Sequence, residues 1–170
     1  MRGRYLVTAY SSFFGTLGDT MIKVVRGDCF SSENLLLWDA VGHQVNARGG
    51  FGTGFAAAVT RFSPQAREAY LRVHRTRGWG LGDIEPVLES EHGKWIVHIC
   101  GQDRYGRGRR FTDYEALKRG LAAFSGFTAE RGLRPALPRI GAGNAGGDWS
   151  IILPMIEEAF DGRRLILFEL

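Results

Sequence analysis

Residues 138–148 read Pro138-Arg139-Ile140-Gly141-Ala142-Gly143-Asn144-Ala145-Gly146-Gly147-Asp148. The run Arg134–Ile140 predicts a strand, the glycines a loop, and the segment from about Asp148 to Phe160 a helix, opened by an aspartate in the favoured capping position. Pro154 lies inside that helix and predicts an irregular first turn or a kink. Gly141, Gly143 and Gly146 spell a literal G-x-G-x-x-G. A dinucleotide-binding fold needs further strand–helix units after this motif. Only one helix and the strand Arg163–Leu170 remain here, so that reading fails on topology. The physical content survives: bare amides beside a helix N-terminus cradle phosphate.

The same order of strand, glycines and helix occurs earlier. A strand over Ala40–Val45 runs into Asn46-Ala47-Arg48-Gly49-Gly50-Phe51-Gly52-Thr53-Gly54, and a helix is predicted over Gly54–Phe62. Glycines let a backbone approach a ligand closely and aim its N–H groups. Taken alone, the loop reads either as a flexible turn or as a phosphate cradle. Two such loops in one small domain point to a ligand containing a diphosphate.

Other elements follow from periodicity. Tyr5–Ala9 and Met21–Val25 read as strands, the second ending at Arg26-Gly27-Asp28. Ser63-Pro64 starts another helix, with Ala66, Ala69, Tyr70 and Val73 on one face. Glu85–Glu89 and Lys94–Cys100 form a hairpin around Glu91-His92-Gly93. Thr112 with Glu115 has the spacing of a capping box, ahead of a helical face of Tyr114, Leu117, Leu121 and Phe124. Alternating strands and helices predict an α/β domain with a mainly parallel or mixed sheet covered on both faces. Ligands of such sheets sit outside the carboxyl ends of the strands.

The chain has 170 residues, 44% of them apolar and 24% charged, which fits one ordinary globular domain and excludes disordered and coiled-coil classes. No apolar run reaches the ~20 residues of a membrane span. Cys29 and Cys100 are too few for a disulfide framework or a cysteine metal cage, and they read as buried small residues of a reduced, cytoplasmic protein. No grouping has metal-ligand spacing, and no metal or cofactor is expected. The net charge of +4 comes almost wholly from arginine and permits an anionic partner without requiring a polymer.

Three strand-ending segments together resemble a macrodomain, the ADP-ribose-binding fold. They are Val24-Val25-Arg26-Gly27-Asp28-Cys29-Phe30; His43-Gln44-Val45-Asn46 with Gly49, Gly52 and Gly54; and residues 138–143 with Gly146-Gly147-Asp148-Trp149. The terminal Phe168-Glu169-Leu170 adds to them. The resemblance implies a three-layer α/β/α fold with a mixed central sheet over residues 21–170. It says nothing of residues 1–20, which read from Tyr5–Ala9 as an extension that adds a strand. It implies that Asp28, beside Cys29, holds the adenine amino group, and that Asn46 and Gln44 face the distal ribose. The amides of Gly50, Phe51, Gly52, Thr53 and Gly54 and of Gly141, Gly143, Asn144, Ala145 and Gly146 would enclose the diphosphate. Leu170 would lie near the adenine pocket.

The short first loop is similar to that of the branch containing terminal ADP-ribose glycohydrolases and ADP-ribose-1″-phosphate phosphatases. The glycohydrolases use a lysine after the strand that here ends at Cys100, where Gly101, Gln102 and Asp103 stand instead, and an acidic residue where Ala145 stands. His43, three residues before Asn46, favours the phosphatase, with His43 or Asp148 assisting attack by water. Each has a plainer reading: a core histidine on a buried strand, and a helix cap. Strand alternation sets His43 and Val45 on one face and Gln44 and Asn46 on the other, unless the strand end bulges. His98 reads as a packed residue, and His74 and His92 as surface residues.

The expected partner is ADP-ribose or ADP-ribose-1″-phosphate, bound by a monomer with no membrane contact. The alternatives are a non-catalytic reader or a glycohydrolase acting on ADP-ribosylated protein or nucleic acid. The loop Arg104-Tyr105-Gly106-Arg107-Gly108-Arg109-Arg110 reads as a ligand mouth or as a solvated loop. Tyr105, or Phe51 in the first glycine loop, is a candidate for stacking on a ribose or base.

Overall fold

The computed structural model describes residues 21–169; the expected strand Tyr5–Ala9, the rest of the 1–20 extension and Leu170 lie outside them. The strands are β1 (Met21–Arg26), β2 (Ala40–Asn46), β3 (Ile84–Glu89), β4 (Lys94–Gln102), β5 (Pro135–Pro138) and β6 (Arg164–Glu169). The helices are α1 (Phe55–Phe62), α2 (Pro64–Thr76), α3 (Tyr114–Glu130) and α4 (Trp149–Ala159), with a short 3-10 turn at Asn34–Leu36. The sheet order is β1-β6-β5-β2-β4-β3. All neighbours are parallel except β3, which pairs antiparallel with β4 at the edge, as the hairpin spacing predicts. No helix among the described residues is long and apolar enough to cross a membrane.

Strand alternation builds two cores. Val41 and Val45 of β2, Ile96 and Cys100 of β4, and Phe168 of β6 pack with Val59, Ala66, Tyr70 and Val73 of α1 and α2. Ala40 of β2, Val97 and Ile99 of β4, and Leu165 and Leu167 of β6 face the other way. They meet Leu117, Leu121 and Phe124 of α3 and Ile152 and Ile156 of α4. The sheet is therefore covered on both faces, giving the expected three-layer α/β/α arrangement with a mixed sheet. Gly42 lets α3 come close: a Cβ there would stand 2.9 Å from the Phe124 ring and 3.0 Å from Ile99.

One local reading needs correction. The cap of α3 is Asp113, whose Oδ1 accepts the Ala116 N–H at 2.9 Å. Thr112 is buried, and its hydroxyl donates to the Gly141 carbonyl at 2.7 Å, so the capping box does not form. The side-chain oxygen that reaches the third helical N–H must stand one residue before the helix, and that residue is Asp113. The helix α4 is capped by Asp148 and contains Pro154, and in its first turn the N–H groups of both Ile151 and Ile152 donate to the Asp148 carbonyl, at 3.1 and 3.0 Å.

Candidate functional site

The carboxyl ends of β1, β6, β5, β2 and β4 lie on one edge of the sheet because these strands are parallel. Four loops follow one another along that edge: 27–30 after β1, 139–148 after β5, 46–54 after β2, and 103–112 after β4. Strands stand about 4.8 Å apart, so β1 and β2 are separated by about 14 Å. That span suits an extended nucleotide better than a single phosphate.

Asp28 is exposed at the β1 end. One carboxylate oxygen accepts the Phe30 N–H at 2.9 Å, and its carbonyl accepts from Asn34 Nδ2 at 2.7 Å. These bonds close the turn and leave the second carboxylate oxygen for a donor. Cys29 turns its thiol into the core, where burial pushes its pKa up. Its carbonyl accepts the Trp38 indole N–H at 3.0 Å.

The register of β2 on β4 shifts after Val45, which pairs with Cys100 while Asn46 pairs with Gln102. The Asn46 side chain stands on the α2 side of the sheet, where Tyr70 donates its hydroxyl to the Asn46 carbonyl and Oδ1, at 2.7 and 3.1 Å. Asn46 Oδ1 also accepts the N–H groups of Arg48 and Gly50, at 3.0 and 3.1 Å, and Nδ2 donates to the Gly50 carbonyl at 2.6 Å. Asn46 is thus the internal brace of the first glycine loop, and the Gly50 amide is occupied by it. The free amides begin further on. The N–H groups of Gly52, Thr53 and Gly54 have no partner among the described residues, and Gly54 heads α1 with no side-chain cap.

The second loop is braced in a similar way. Gly146 donates to the Gly143 carbonyl at 2.9 Å and Gly147 to the Gly141 carbonyl at 2.8 Å. The amides of Gly143, Asn144 and Ala145 are left without partners among the described residues. The two loops meet where Asn144 Nδ2 lies 3.3 Å from the position of a Cβ on Gly54. Two sets of bare amides beside an uncapped helix N-terminus form an anion cradle.

Gln44 stays on the opposite face of β2 from Asn46. Its Nε2 donates to Gln102 Oε1 at 2.6 Å and to the Thr112 hydroxyl at 3.0 Å, and Thr112 in turn holds the Gly141 carbonyl. Gln44 therefore couples the ends of β2, β4 and β5 from below the loops. The reading of the sequence assigned no such role to Gln102, Thr112 or Tyr70, because residues far apart in the chain carry no spacing signal for one another.

His43 is 1% exposed and lies among the rings of Phe51, Phe55 and His98. His98 Nε2 is 2.8 Å from the Ala66 carbonyl and must donate, so His98 Nδ1 accepts from His43 Nε2 at 2.8 Å. Burial holds His43 well below its ordinary pKa, as does the neighbouring His98, so its ring is neutral. The structure brings His43 to the aromatic core and away from the edge. Phe51 belongs to the same cluster, 4.8 Å from the Tyr70 ring, so it does not offer a stacking face. Tyr105 is 60% exposed and lies on Gly50. His74 is half-buried against Gly49 and is not a free surface residue.

Asp148 is exposed. Its Oδ1 accepts from the backbone N–H and the hydroxyl of Ser150, at 2.8 and 2.7 Å, which lowers its pKa. Its own N–H donates to the Tyr114 hydroxyl at 2.9 Å. Remote from this edge, Glu89, Glu91 and His92 gather ligand atoms within 4.8 Å of one another. Both Glu89 oxygens already accept N–H groups of that turn.

Neither a scan against protein-family models nor a search of curated proteins finds a match. Solved structures do match. A macrodomain protein from Streptomyces coelicolor is 32% identical, with a TM-score of 0.73, over 88% of this chain and 99% of that one. The macrodomain of Mycobacterium tuberculosis DarG is 20% identical, with a TM-score of 0.76, over 89% of this chain and 99% of that one. Thermosipho africanus DarTG, solved in complex with ADP-ribose, is 19% identical, with a TM-score of 0.71, over 88% of this chain and 42% of that one. The Streptomyces relative, matched at this identity over nearly its whole length, shows that the chain belongs to the macrodomain family.

Proposed function

We propose that the protein binds ADP-ribose along the carboxyl edge of its sheet. The adenine amino group meets the free oxygen of Asp28, and the diphosphate lies between the amides of Gly52–Gly54 and Gly143–Ala145. The distal ribose then sits over the stretch braced by Asn46. The observation that carries this reading is the pair of loops that meet at Gly54 and Asn144, each with unpartnered amides. The complex of Thermosipho africanus DarTG with ADP-ribose supports the same ligand. Titration calorimetry with ADP-ribose tests it; an absence of heat at millimolar ligand removes the reading.

Hydrolysis of an ADP-ribose derivative, with ADP-ribose-1″-phosphate as the substrate, is the second reading. The exposed Asp148 at the end of the second loop supports it, as an ionised carboxylate able to orient water. His43 is left out of this reading, because its ring is buried in the core. Release of phosphate from ADP-ribose-1″-phosphate decides between enzyme and reader. Binding of ADP-ribose without turnover leaves a reader.

A further inference from the structure

Gly50 lies in the first glycine loop with its polar groups already used: its N–H donates to Asn46 Oδ1 at 3.1 Å and its carbonyl accepts from Asn46 Nδ2 at 2.6 Å. Its backbone is not left-handed, unlike that of Gly49, with a φ of 82°, or Gly54, with a φ of 56°. Conformation alone would therefore admit a side chain there. What excludes one is Tyr105, from the loop 103–112. The ring atoms Cε1, Cδ1 and Cζ stand 2.5, 2.8 and 2.9 Å from the position a Cβ would take. With the ring this close, nothing else reaches Gly50 from that side.

The segment that carries the ring is fixed at both ends and weakly held between them. At one end Asp103 sits on the first glycine loop: its carbonyl accepts the Ala47 N–H at 3.1 Å, and its carboxylate pairs with Arg48 at 3.0 Å. At the other end the N–H groups of Phe111 and Thr112 donate to the Ala145 carbonyl of the second loop, at 2.7 and 3.2 Å. Residues 104–110 are all exposed, and none of their backbone N–H groups finds an acceptor among the described residues. Gly108 has a φ of 82°, with nothing within 4 Å of where its Cβ would stand. Local rearrangement of such a segment costs little. The Tyr105 ring itself is 60% exposed, so its contact with Gly50 is one-sided and the ring can turn outward without opening the core.

The ADP-ribose reading sets the distal ribose over the stretch braced by Asn46, which includes Gly50. Ring and sugar then claim the same ground. We propose that Tyr105 is a specificity-determining cover on the far end of the cleft: a ligand that carries the distal ribose must turn the ring aside, whereas a nucleotide that ends at its diphosphate need not. This inference rests on the ADP-ribose reading and deepens it by naming the residue that discriminates among nucleotides beyond the diphosphate. A cover in place for about nine-tenths of the time weakens the apparent affinity of the ribose-carrying ligand about tenfold and leaves that of the shorter one unchanged.

The test is calorimetry with ADP-ribose and with ADP on the full chain, as wild type, Tyr105→Ala and Tyr105→Phe. An unchanged Tm reports that the variants are folded. Tyr105→Ala is expected to bind ADP-ribose about threefold to tenfold more tightly than wild type and ADP within about twofold, while Tyr105→Phe, which keeps the ring, matches wild type for both. The Gly50 Hα resonances, beside the ring, give a second readout. Their ring-current shift should vanish on saturation with ADP-ribose, persist with ADP, and be missing in Tyr105→Ala. Weaker ADP-ribose binding by Tyr105→Ala would make the ring a stacking partner of the sugar, and unchanged binding would make it a bystander. Either result overturns the cover and leaves the ADP-ribose reading intact, as does a Gly50 shift that survives saturation with ADP-ribose. Failure of the wild type to bind either nucleotide overturns both.

Discussion

His43 Nε2 and His98 Nδ1 lie 2.8 Å apart in the core, and His98 donates its one ring N–H, at Nε2, to the Ala66 carbonyl. Around the pair stand the rings of Phe51, Phe55, Tyr70 and Trp79, and among the described residues no carboxylate pairs with either histidine. Both histidines are therefore neutral in the folded state, with His98 lowered to about 4 by burial and His43 held well below its ordinary value. In the unfolded chain each takes up a proton near pH 6.5. The fold keeps its full stability from this pair above that pH and loses it as the pH falls, because the unfolded chain then binds more protons. The slope is up to about 1.4 kcal/mol per pH unit for each histidine. Urea midpoints measured at pH 7 and pH 5 should separate clearly, and His98→Gln should flatten the difference. Equal wild-type midpoints would contradict the neutral pair.

Tyr70 ties α2 to the first glycine loop through Asn46. Tyr70→Phe keeps the ring packing and removes only the hydroxyl, leaving acceptors of Asn46 short of a donor. The expected loss is about 1–2 kcal/mol in urea unfolding. Weaker ADP-ribose binding should accompany it, because residues 46–50 lose one of their anchors. A variant that keeps wild-type stability would show that the brace does not need this bond.

Much of this architecture is legible in the sequence because it is local or periodic. The alternation in β2 and β4, the Ser63-Pro64 start of α2 and the strand–glycine–helix order each depend on neighbours within a turn or two. The bulge after Val45 is not legible. Its extra residue is Gly101, on another strand, so nothing in the sequence around Asn46 signals it. His43 follows from the same limit: its type and spacing fit a catalytic role, whereas its surroundings come from α1, α2 and β4. Phe51 looks like an exposed loop aromatic, yet its neighbours are Tyr70 and His98, many residues away.

Gly147 and Gly143 differ sharply in what a methyl group would meet. At Gly147 a Cβ would collide with the Gly141 carbonyl and lie 2.7 Å from Ile152, whereas nothing stands within 4 Å of one at Gly143. Gly147→Ala should therefore deform the second loop and weaken ADP-ribose binding about tenfold or more, by displacing the amides of residues 143–145. Gly143→Ala should leave the fold unchanged, with its Tm within about a degree of wild type. Calorimetry and thermal unfolding on both variants check the contrast. Equal binding by Gly147→Ala and wild type would remove the second loop from the ligand site.

Asp28 is assigned to an amino group, which makes the nucleobase itself the probe. The wild type should prefer ADP-ribose to the hypoxanthine analogue, in which an oxygen replaces that amino group. A hydrogen bond to a charged acceptor is worth about 1.5–3 kcal/mol, so tenfold or more is expected. Asp28→Ala should bind the two ligands alike. A wild type indifferent to the base would place the adenine elsewhere on the edge.

Asp148 separates capping from catalysis if two substitutions are compared. Its Oδ1 accepts from Ser150 at the first turn of α4, and asparagine caps a helix about as well as aspartate does, whereas alanine does not. Asp148→Ala should lower the Tm, and Asp148→Asn should leave it nearly unchanged. Both remove the negative charge. If Asp148 orients or deprotonates water, phosphate release from ADP-ribose-1″-phosphate falls about a hundredfold in both variants. The two hydrogen bonds from Ser150 hold its pKa below the usual carboxylate value, so the wild-type rate should not fall through loss of this charge between pH 8 and pH 5. Full activity in Asp148→Asn beside reduced stability in Asp148→Ala would make Asp148 a helix cap with no part in turnover.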